Sequence, residues 1–153
     1  MANSTSKGGT TSASNTGTVD ADPESLPVQE GEDPWTPEEL DEVRQELSDE
    51  AARLRAEVEA AEQELADLMR DYGDGAGDDQ ADAGSATLER EQELSLANNT
   101  RELLQQVDHA LGRIKGGTYG ECESCGQPIG KMRLQAFPRA TLCLTCKQKQ
   151  ERR

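Results

Sequence analysis

The fold is decided by two short stretches, Cys122-Glu-Ser-Cys125-Gly126 and Cys143-Leu-Thr-Cys146-Lys147, which hold all four cysteines of the chain. Two residues between paired cysteines let both sulfurs face one ion from a tight turn, and the spacer, residues 126–142, has the length found between such pairs in zinc sites. Four thiolates also leave no open position for a substrate or an activated water. We therefore predict one structural zinc ion bound by Cys122, Cys125, Cys143 and Cys146.

Two disulfides are the alternative use of four cysteines. The chain opens Met1-Ala-Asn-Ser-Thr-Ser-Lys7, without the basic start and apolar run of an export signal. Because disulfides persist mainly in oxidising compartments, we expect a cytoplasmic protein and a zinc site. A four-thiolate zinc centre is negatively charged, and we expect Lys131, Arg133 and Lys147 to offset that charge.

The composition argues against a large globular core. The chain has 153 residues, of which 33% are hydrophobic, with one Phe, one Trp and two Tyr. These few large apolar side chains favour an extended shape. No apolar segment approaches the roughly 18 residues of a membrane-spanning helix, so we expect no membrane insertion.

The negative charge lies in the first part of the chain. Residues 1–120 hold 9 basic and 28 acidic residues, a net charge of −19, whereas residues 121–153 hold 7 basic and 3 acidic residues, a net charge of +4. DNA phosphates would repel the acidic part, so a basic protein surface is the expected partner and sequence-specific DNA binding is not expected. Alternatively, the acidic residues only keep an exposed rod in solution.

Apolar periodicity predicts two long helices that pair antiparallel. The first begins where Thr36 is an N-cap, Pro37 takes the first helical position and Glu39 completes a capping box. The second ends at Gly116-Gly117, a glycine C-cap. The predicted stripes are Leu40, Val43, Leu47, Ala51, Leu54, Val58, Ala61, Leu65, Leu68 and Tyr72 on the first helix, and Leu96, Leu103, Leu104, Val107, Ala110, Leu111 and Ile114 on the second.

These patterns divide the chain into three parts. Residues 1–34 are a predicted disordered tail rich in Ser, Thr, Gly and acidic residues. Residues 35–117 form a hairpin whose acidic tip, at residues 73–84, is too glycine-rich to continue a helix. Residues 118–153 form a zinc finger with a short C-terminal helix. The predicted fold is therefore mainly α, a long antiparallel coiled-coil hairpin with a small four-cysteine zinc module at its base. Because the two stripes bury each other, we expect a monomer.

Several stretches outside the first helix form a family pattern. They are Asp79-Gln-Ala-Asp82, Leu88-Glu-Arg-Glu-Gln-Glu-Leu-Ser-Leu96, Gly120-Glu-Cys-Glu-Ser-Cys-Gly-Gln-Pro-Ile-Gly130, Arg133-Leu-Gln-Ala-Phe-Pro138 and Leu142-Cys-Leu-Thr-Cys-Lys147. In these stretches the chain resembles the DksA/TraR family of C4-type zinc finger proteins, which regulate bacterial RNA polymerase. The first helix is similar in kind but not by motif, and the tail shows no similarity.

The resemblance implies a transcription regulator without enzymatic activity. Members of the family bind RNA polymerase, insert the hairpin into its secondary channel and bring acidic tip residues near the active centre, which changes initiation. The family's tip pattern of two Asp residues and an Ala matches Asp79 and Asp82, while Gly84 stands in place of the Ala. From the residues alone, Asp82 could instead be the N-cap of the second helix, and Asp79 part of a solvated turn.

Members that respond to guanosine tetraphosphate bind it through three basic residues. Aligned by the cysteines, these positions are Gln106, Phe137 and Lys147, so Lys147 is the one basic residue left as a possible alarmone contact. Because polyphosphate binding relies on paired cationic contacts, we predict a weak response or none.

Other functions remain open from the residues alone. Basic residues of the zinc finger could bind DNA phosphates, although the sequence lacks a recognition helix with base-reading side chains. A structural coiled-coil adaptor would need only the rod. An enzyme is not expected, because the one histidine, His109, lies beside Asp108 on a predicted helix, with no nucleophile pair or phosphate loop.

Overall fold

The computed structural model describes residues 22–74 and 80–152, and it is mainly helical. A short 3-10 helix covers Pro23–Ser25, and four α-helices follow: α1 (Pro37–Asp74), α2 (Gln80–Gly116), α3 (Lys131–Ala136) and α4 (Leu144–Glu151). One isolated antiparallel bridge joins Glu121 to Pro128. The predicted fold class, a long helical hairpin with a small four-cysteine module at its base, is confirmed.

Local sequence signals set the ends of the hairpin helices. At the start of α1, the Glu39 backbone N–H donates to the Thr36 hydroxyl at 3.1 Å, as an N-cap requires. At the end of α2, Gly117 has a φ of +82°, a conformation that residues with a Cβ rarely adopt. The chain can therefore leave α2 sharply and enter the first cysteine pair.

Ion pairs between the long helices show that they run antiparallel. Arg55 Nη2 lies 2.8 Å from Asp108 Oδ1, and Arg101 Nη2 lies 2.7 Å from Glu62 Oε1. As the position on α1 rises from 55 to 62, its partner on α2 falls from 108 to 101, which is possible only for opposite directions. Both pairs are exposed, so each contributes at most about 1 kcal/mol.

The buried core lies in the half of the hairpin nearer the zinc module. The buried positions are Leu40, Val43, Leu47, Ala51 and Leu54 on α1 and Ala97, Val107, Ala110 and Ile114 on α2. Farther along α1, the predicted stripe positions Val58, Ala61, Leu65 and Leu68 are partly exposed. The stripes thus meet as predicted, but their burial decreases with distance from the base.

Two predicted core positions of α2 are wrong. Leu96 is 58% exposed and Leu103 is also exposed, whereas their neighbour Ala97 is buried and Leu104 packs against the core. Ala97, Leu104 and Leu111 are spaced by seven residues. This heptad repeat keeps the same face of a helix against its partner in a coiled coil. The heptad repeat therefore selects these positions over the adjacent leucines.

The turn of the hairpin is shorter than predicted. The sequence predicts that residues 73–84 cannot continue a helix, yet α1 extends to Asp74 and α2 begins at Gln80. A glycine costs only about 1 kcal/mol relative to alanine inside a helix, and Ala81, Ala83 and Ala86 offset Gly84. Residues 75–79 lie outside the described residues.

The predicted disorder extends too far toward α1. Residues 1–21 lie outside the described part of the chain, but residues 22–34, here called the N-terminal arm, pack on the zinc module. Leu26 is 3% exposed within the same core as the hairpin base. Gln29 Nε2 donates to the Ile129 carbonyl at 3.2 Å. These contacts stabilise an ordered arm that local composition does not reveal.

The arm also caps helix α3. Both carboxylate oxygens of Glu32 accept backbone N–H bonds, from Lys131 at 3.0 Å and from Met132 at 3.2 Å. Burial alone would raise the pKa of Glu32, but the N–H groups of Lys131, Gln29 and Met132 hold that pKa below its ordinary value. The ionised carboxylate therefore satisfies the first free donors of α3.

One aromatic pair joins the arm, the hairpin and the zinc module. Trp35, at the entrance to α1, is 1% exposed, and its ring centroid lies 6.0 Å from that of the buried Tyr119. Tyr119 in turn donates from its hydroxyl to the Pro138 carbonyl at 2.9 Å. Burial raises the pKa of Tyr119, so its hydroxyl stays protonated. The zinc module and the hairpin base thus share one core.

The zinc module contains more helix than the sequence predicts. Helix α3 (Lys131–Ala136) is not predicted, and α4 (Leu144–Glu151) begins directly after Cys143, one of the expected zinc ligands. None of the helices in residues 22–74 and 80–152 is long and apolar enough to cross a membrane.

Candidate metal centre

The four cysteine sulfurs meet at one point. All four Sγ atoms lie within 4.8 Å of one another, and Cys125 Sγ is 3.8 Å from Cys143 Sγ. Sulfurs bound tetrahedrally at about 2.3 Å from one zinc ion would be separated by about 3.8 Å. The cluster therefore fits a tetrahedral zinc ion, as the spacing of the two pairs predicts.

A tight turn brings the first two sulfurs together. The Gly126 N–H donates to the Cys122 carbonyl at 2.9 Å, and Gly126 has a φ of +76°, which favours glycine. The Cys122 N–H donates to the Gln127 carbonyl at 2.8 Å, closing the loop from the other side. Gly126 thus permits the tight turn that brings the first two sulfurs together.

The second pair lies at the start of helix α4. Cys143 is the residue before the helix, and Cys146 lies in its first turn. The N-terminus of a helix stabilises negative charge, which favours the thiolate forms that bind metal. The two pairs are joined directly, because the Cys143 N–H points at the Cys122 sulfur at 3.3 Å and the Glu123 N–H donates to the Thr141 carbonyl at 2.9 Å.

Crowding of the sulfurs separates their acidities. Burial would raise the pKa of Cys122, but backbone N–H groups of Cys143, Cys125 and Ser124 lower it to about 6. For Cys146, a hydrogen bond from Ser124 opposes the neighbouring thiols and burial, which raise its pKa to about 12. Four thiolates this close together repel one another, so a cation is needed before all four sulfurs ionise.

The basic residues expected to offset the cluster's charge have other partners. Lys131 Nζ lies 2.6 Å from Glu39 Oε2 and above the Trp35 ring, which ties the zinc module to α1. The Arg133 guanidinium lies 5.7 Å from the centre of the Phe137 ring, and Lys147 Nζ is 4.0 Å from Glu151 Oε1. The expectation that these three cations face the sulfurs therefore receives no support from the described contacts.

The three positions aligned with alarmone contacts line one groove between the hairpin and the zinc module. Gln106, Phe137 and Lys147 border a space of about 1000 Å³, together with Arg133 and Arg139. Sequence alignment missed these two arginines because they occupy positions different from those of the family's basic residues. Three carboxylates, those of Glu46, Glu50 and Glu151, line the same groove and balance its three cations.

The predicted tip residues, Asp79 and Asp82, lie at the edge of the described part of the chain. Asp79 lies outside the described residues. Asp82 lies within α2, which begins at Gln80, so the alternative that Asp82 is the N-cap of this helix is wrong. The side chain of Asp82 is also outside the described part, and the role of both residues stays a prediction.

A helical hairpin on a four-cysteine base defines a class of small zinc-binding proteins. Sequence comparison identifies the family within that class. A family described as "Prokaryotic dksA/traR C4-type zinc finger" matches residues 117–152. Over 125 residues the chain is 33% identical to the RNA polymerase-binding transcription factor DksA of Escherichia coli strain K12, covering 79% of this chain and 78% of that protein. The chain belongs to the DksA/TraR family.

Two further similarities agree with this assignment. The RNA polymerase-binding transcription factor DksA of Caulobacter vibrioides is 41% identical over 75 residues, which make up 49% of this chain and 53% of that protein. The chain thus matches about half the length of that relative. The structure of transcription factor DksA2 from Pseudomonas aeruginosa superposes with a TM-score of 0.62 at 35% identity, covering 76% of this chain and 85% of that one.

Proposed function

We propose that this protein regulates transcription by binding bacterial RNA polymerase. The observation that carries the proposal is a hairpin on a four-cysteine base in a chain that matches a polymerase-binding factor over 78% of that factor's length. In this proposal the protein acts as a cytoplasmic monomer without catalytic activity. Its binding site on the polymerase is the secondary channel, which a long thin hairpin can enter and a globular domain cannot.

The proposed division of labour separates the base from the tip. One structural zinc ion, bound by Cys122, Cys125, Cys143 and Cys146, holds the base together. At the other end of the hairpin, Asp79 and Asp82 act near the magnesium-bearing active centre of the polymerase and alter initiation. Carboxylates suit this role because they interact strongly with Mg²⁺ and its bound waters.

The tip is tested with a double substitution, D79N with D82N, in polymerase pull-down and in multiple-round transcription. We expect the variant to bind core polymerase as the unaltered protein does but to lose its effect on initiation. The matched control, D49N with E59Q, removes the same charge from exposed positions of α1 and should retain the effect. Full activity of the tip variant would contradict this mechanism.

The zinc module offers a test of the competing DNA-binding function. Its net charge of +4 would produce salt-dependent binding to duplex DNA if it contacted phosphates. We expect no such binding without polymerase at physiological ionic strength. Measurable affinity that falls steeply with salt would instead favour a DNA-binding zinc finger.

We further propose that guanosine tetraphosphate has little effect through the groove at Lys147. The groove's cations already have partners, since Arg139 Nε lies 3.7 Å from Glu50 and Lys147 is close to Glu151. A polyphosphate would have to displace these carboxylates before it gained the paired contacts it needs. Strong potentiation by the nucleotide in a polymerase assay would overturn this proposal.

A further inference from the structure

One charged side chain is buried at the point where α2 meets the zinc module. Arg113, in the last turn of α2, is 8% exposed and is the one charged residue among the fully buried positions of residues 22–71 and 84–152. Burying a guanidinium is costly unless specific partners replace its water. The partners of its guanidinium therefore indicate the role of this residue.

Arg113 is hydrogen-bonded to the chain segment that leads to the first cysteine pair. Its Nη2 donates to the Thr118 carbonyl at 2.8 Å and also to the Glu121 carbonyl, one residue before Cys122. Its own carbonyl accepts N–H bonds from Thr118 at 3.0 Å and from Tyr119 at 3.1 Å. The backbone bonds form an ordinary glycine-terminated helix end, whereas the side chain bonds to carbonyls at both ends of the loop between α2 and the first zinc ligand.

The guanidinium of Arg113 also contacts a residue that lies between the first two cysteines in the sequence. Its Nε lies 3.7 Å from Glu123 Oε1, and Glu123 stands between Cys122 and Cys125. Its Nη1 is buried without a hydrogen-bond partner in the part of the chain that the structure describes. The two carbonyls are neutral, and the Glu123 carboxylate is exposed and also contacts His109, so a nearby negative group such as a four-thiolate metal centre would further favour burial of the guanidinium.

A helix cap alone does not account for this arrangement. A basic residue in the last turn of a helix stabilises the terminal carbonyls from the solvent-exposed surface. Helix α2 already ends through Gly117, and a cap needs neither burial nor a bond to Glu121 five residues beyond the helix. The contacts of Arg113 reach past the helix to the metal loop.

We propose that Arg113 is a positioning residue for the zinc site. It holds the backbone on both sides of Tyr119 so that Cys122 and Cys125 are presented to the metal in one geometry, and it couples that geometry to the hairpin. This inference rests on the zinc site proposed above. Residues that orient metal ligands in this way typically contribute 10–100-fold to metal affinity.

The test measures zinc binding in the full-length protein. Zinc content is determined by elemental analysis, and the zinc dissociation constant by competition with a chromogenic chelator, for R113M, R113K and the unaltered protein. We expect R113M to raise the dissociation constant about 10–100-fold. R113K keeps the charge and could donate to both carbonyls from its single nitrogen, but it loses the Nε contact with Glu123, so its effect should be intermediate.

The matched control is R101M, which removes the same charge from an exposed ion pair on the same helix. It should leave zinc affinity unchanged. If R113M does not fold, R113K carries the test, with an expected several-fold loss. A zinc-loaded protein in which R113M and R113K lower only the thermal midpoint and keep the unaltered zinc affinity would overturn the role of Arg113. An unaltered protein that binds no zinc would overturn the metal site itself.

Discussion

The ion pair between Glu39 and Lys131 connects the first turn of the hairpin to the zinc module. Lys131 Nζ also lies 3.3 Å from the Pro34 carbonyl, so a single ammonium binds α1 and the end of the N-terminal arm. The hydrogen bond from Lys131 holds the pKa of Glu39 below its ordinary value of 4.5. A lowered pKa in the folded state means that the unfolded chain binds the proton more tightly. The contact therefore stabilises the fold above about pH 4.5 and is lost as the pH falls below it.

This titration predicts a pH-dependent effect of E39Q. At pH 7 the variant should unfold at a temperature a few degrees below that of the unaltered protein. The difference should shrink as the pH falls below 4.5, because the unaltered protein then loses the same contact. Thermal unfolding followed by circular dichroism measures both. The control is E38Q, at an exposed neighbouring position, and a difference for E39Q that stays constant with pH would contradict the prediction.

At the scale of the helices, the packing seam of the hairpin decides which leucines matter. Leu47 is fully buried, whereas Leu96 is 58% exposed although both belong to the apolar pattern of the sequence. The pattern identifies a face of a helix to within one position, and the partner helix then selects the residue that it covers. Substituting one leucine in the packing seam and one beside it should therefore have different effects on stability.

We predict that L47A lowers the free energy of unfolding by about 2–5 kcal/mol, because it leaves a cavity in the hairpin core. L96A should change it by less than about 0.5 kcal/mol, since that side chain is largely in water. Urea unfolding of the two variants makes the comparison. An equal loss for both would show that Leu96 is covered in solution, by another molecule or by a different register.

The helices show which features a sequence reveals on its own. The N-cap at Thr36 and the glycine stop at Gly117 were predictable, because each acts within a few residues of itself. The ordered arm was not, because Gln29 bonds to Ile129 and Glu32 to Met132, each 100 positions away. The four cysteines are the exception, since their spacing encodes a contact between distant residues through the chemistry of one ion.

The buried Arg113, in the last turn of α2, has only a weak signal in the sequence. Arg113 directly precedes Ile114, a core position of α2, and lies three residues after the buried Ala110, on the same side of the helix. A single basic residue beside core positions near the end of a helix indicates a buried cation with specific hydrogen-bond partners. Its carbonyl partners, however, belong to the turn after the helix, whose path depends on Gly117 and is not encoded in the helical period.

At the scale of the whole molecule, the zinc module and the hairpin base should respond together to loss of metal. Trp35, the only tryptophan, is buried against Tyr119, which lies three residues before Cys122. Ala97, farther from the base on α2, is buried outside the core that contains Tyr119 and Cys122. Metal removal should therefore loosen the base first.

We predict that a strong chelator shifts the fluorescence of Trp35 to longer wavelength while most of the helical circular dichroism signal remains. Added zinc should reverse the shift. The C125S variant should behave like the chelated protein, because three thiolates bind zinc more weakly than four. Unchanged tryptophan emission on complete removal of zinc would contradict the shared core at the base.

The gradient of burial along the hairpin has a consequence for the newly made chain. Contacts join residues 39 positions apart at Glu62 and Arg101, but 92 apart at Glu39 and Lys131, close to the best-buried core. At synthesis rates of about 5–20 residues per second, roughly 5–20 s pass between the emergence of Leu40 and that of Leu134 from the ribosome. The apolar stripe of α1 is not fully covered until then. During that time an apolar helix face is open to other chains, and we expect the dense acidic charge beside it to keep such chains apart by electrostatic repulsion.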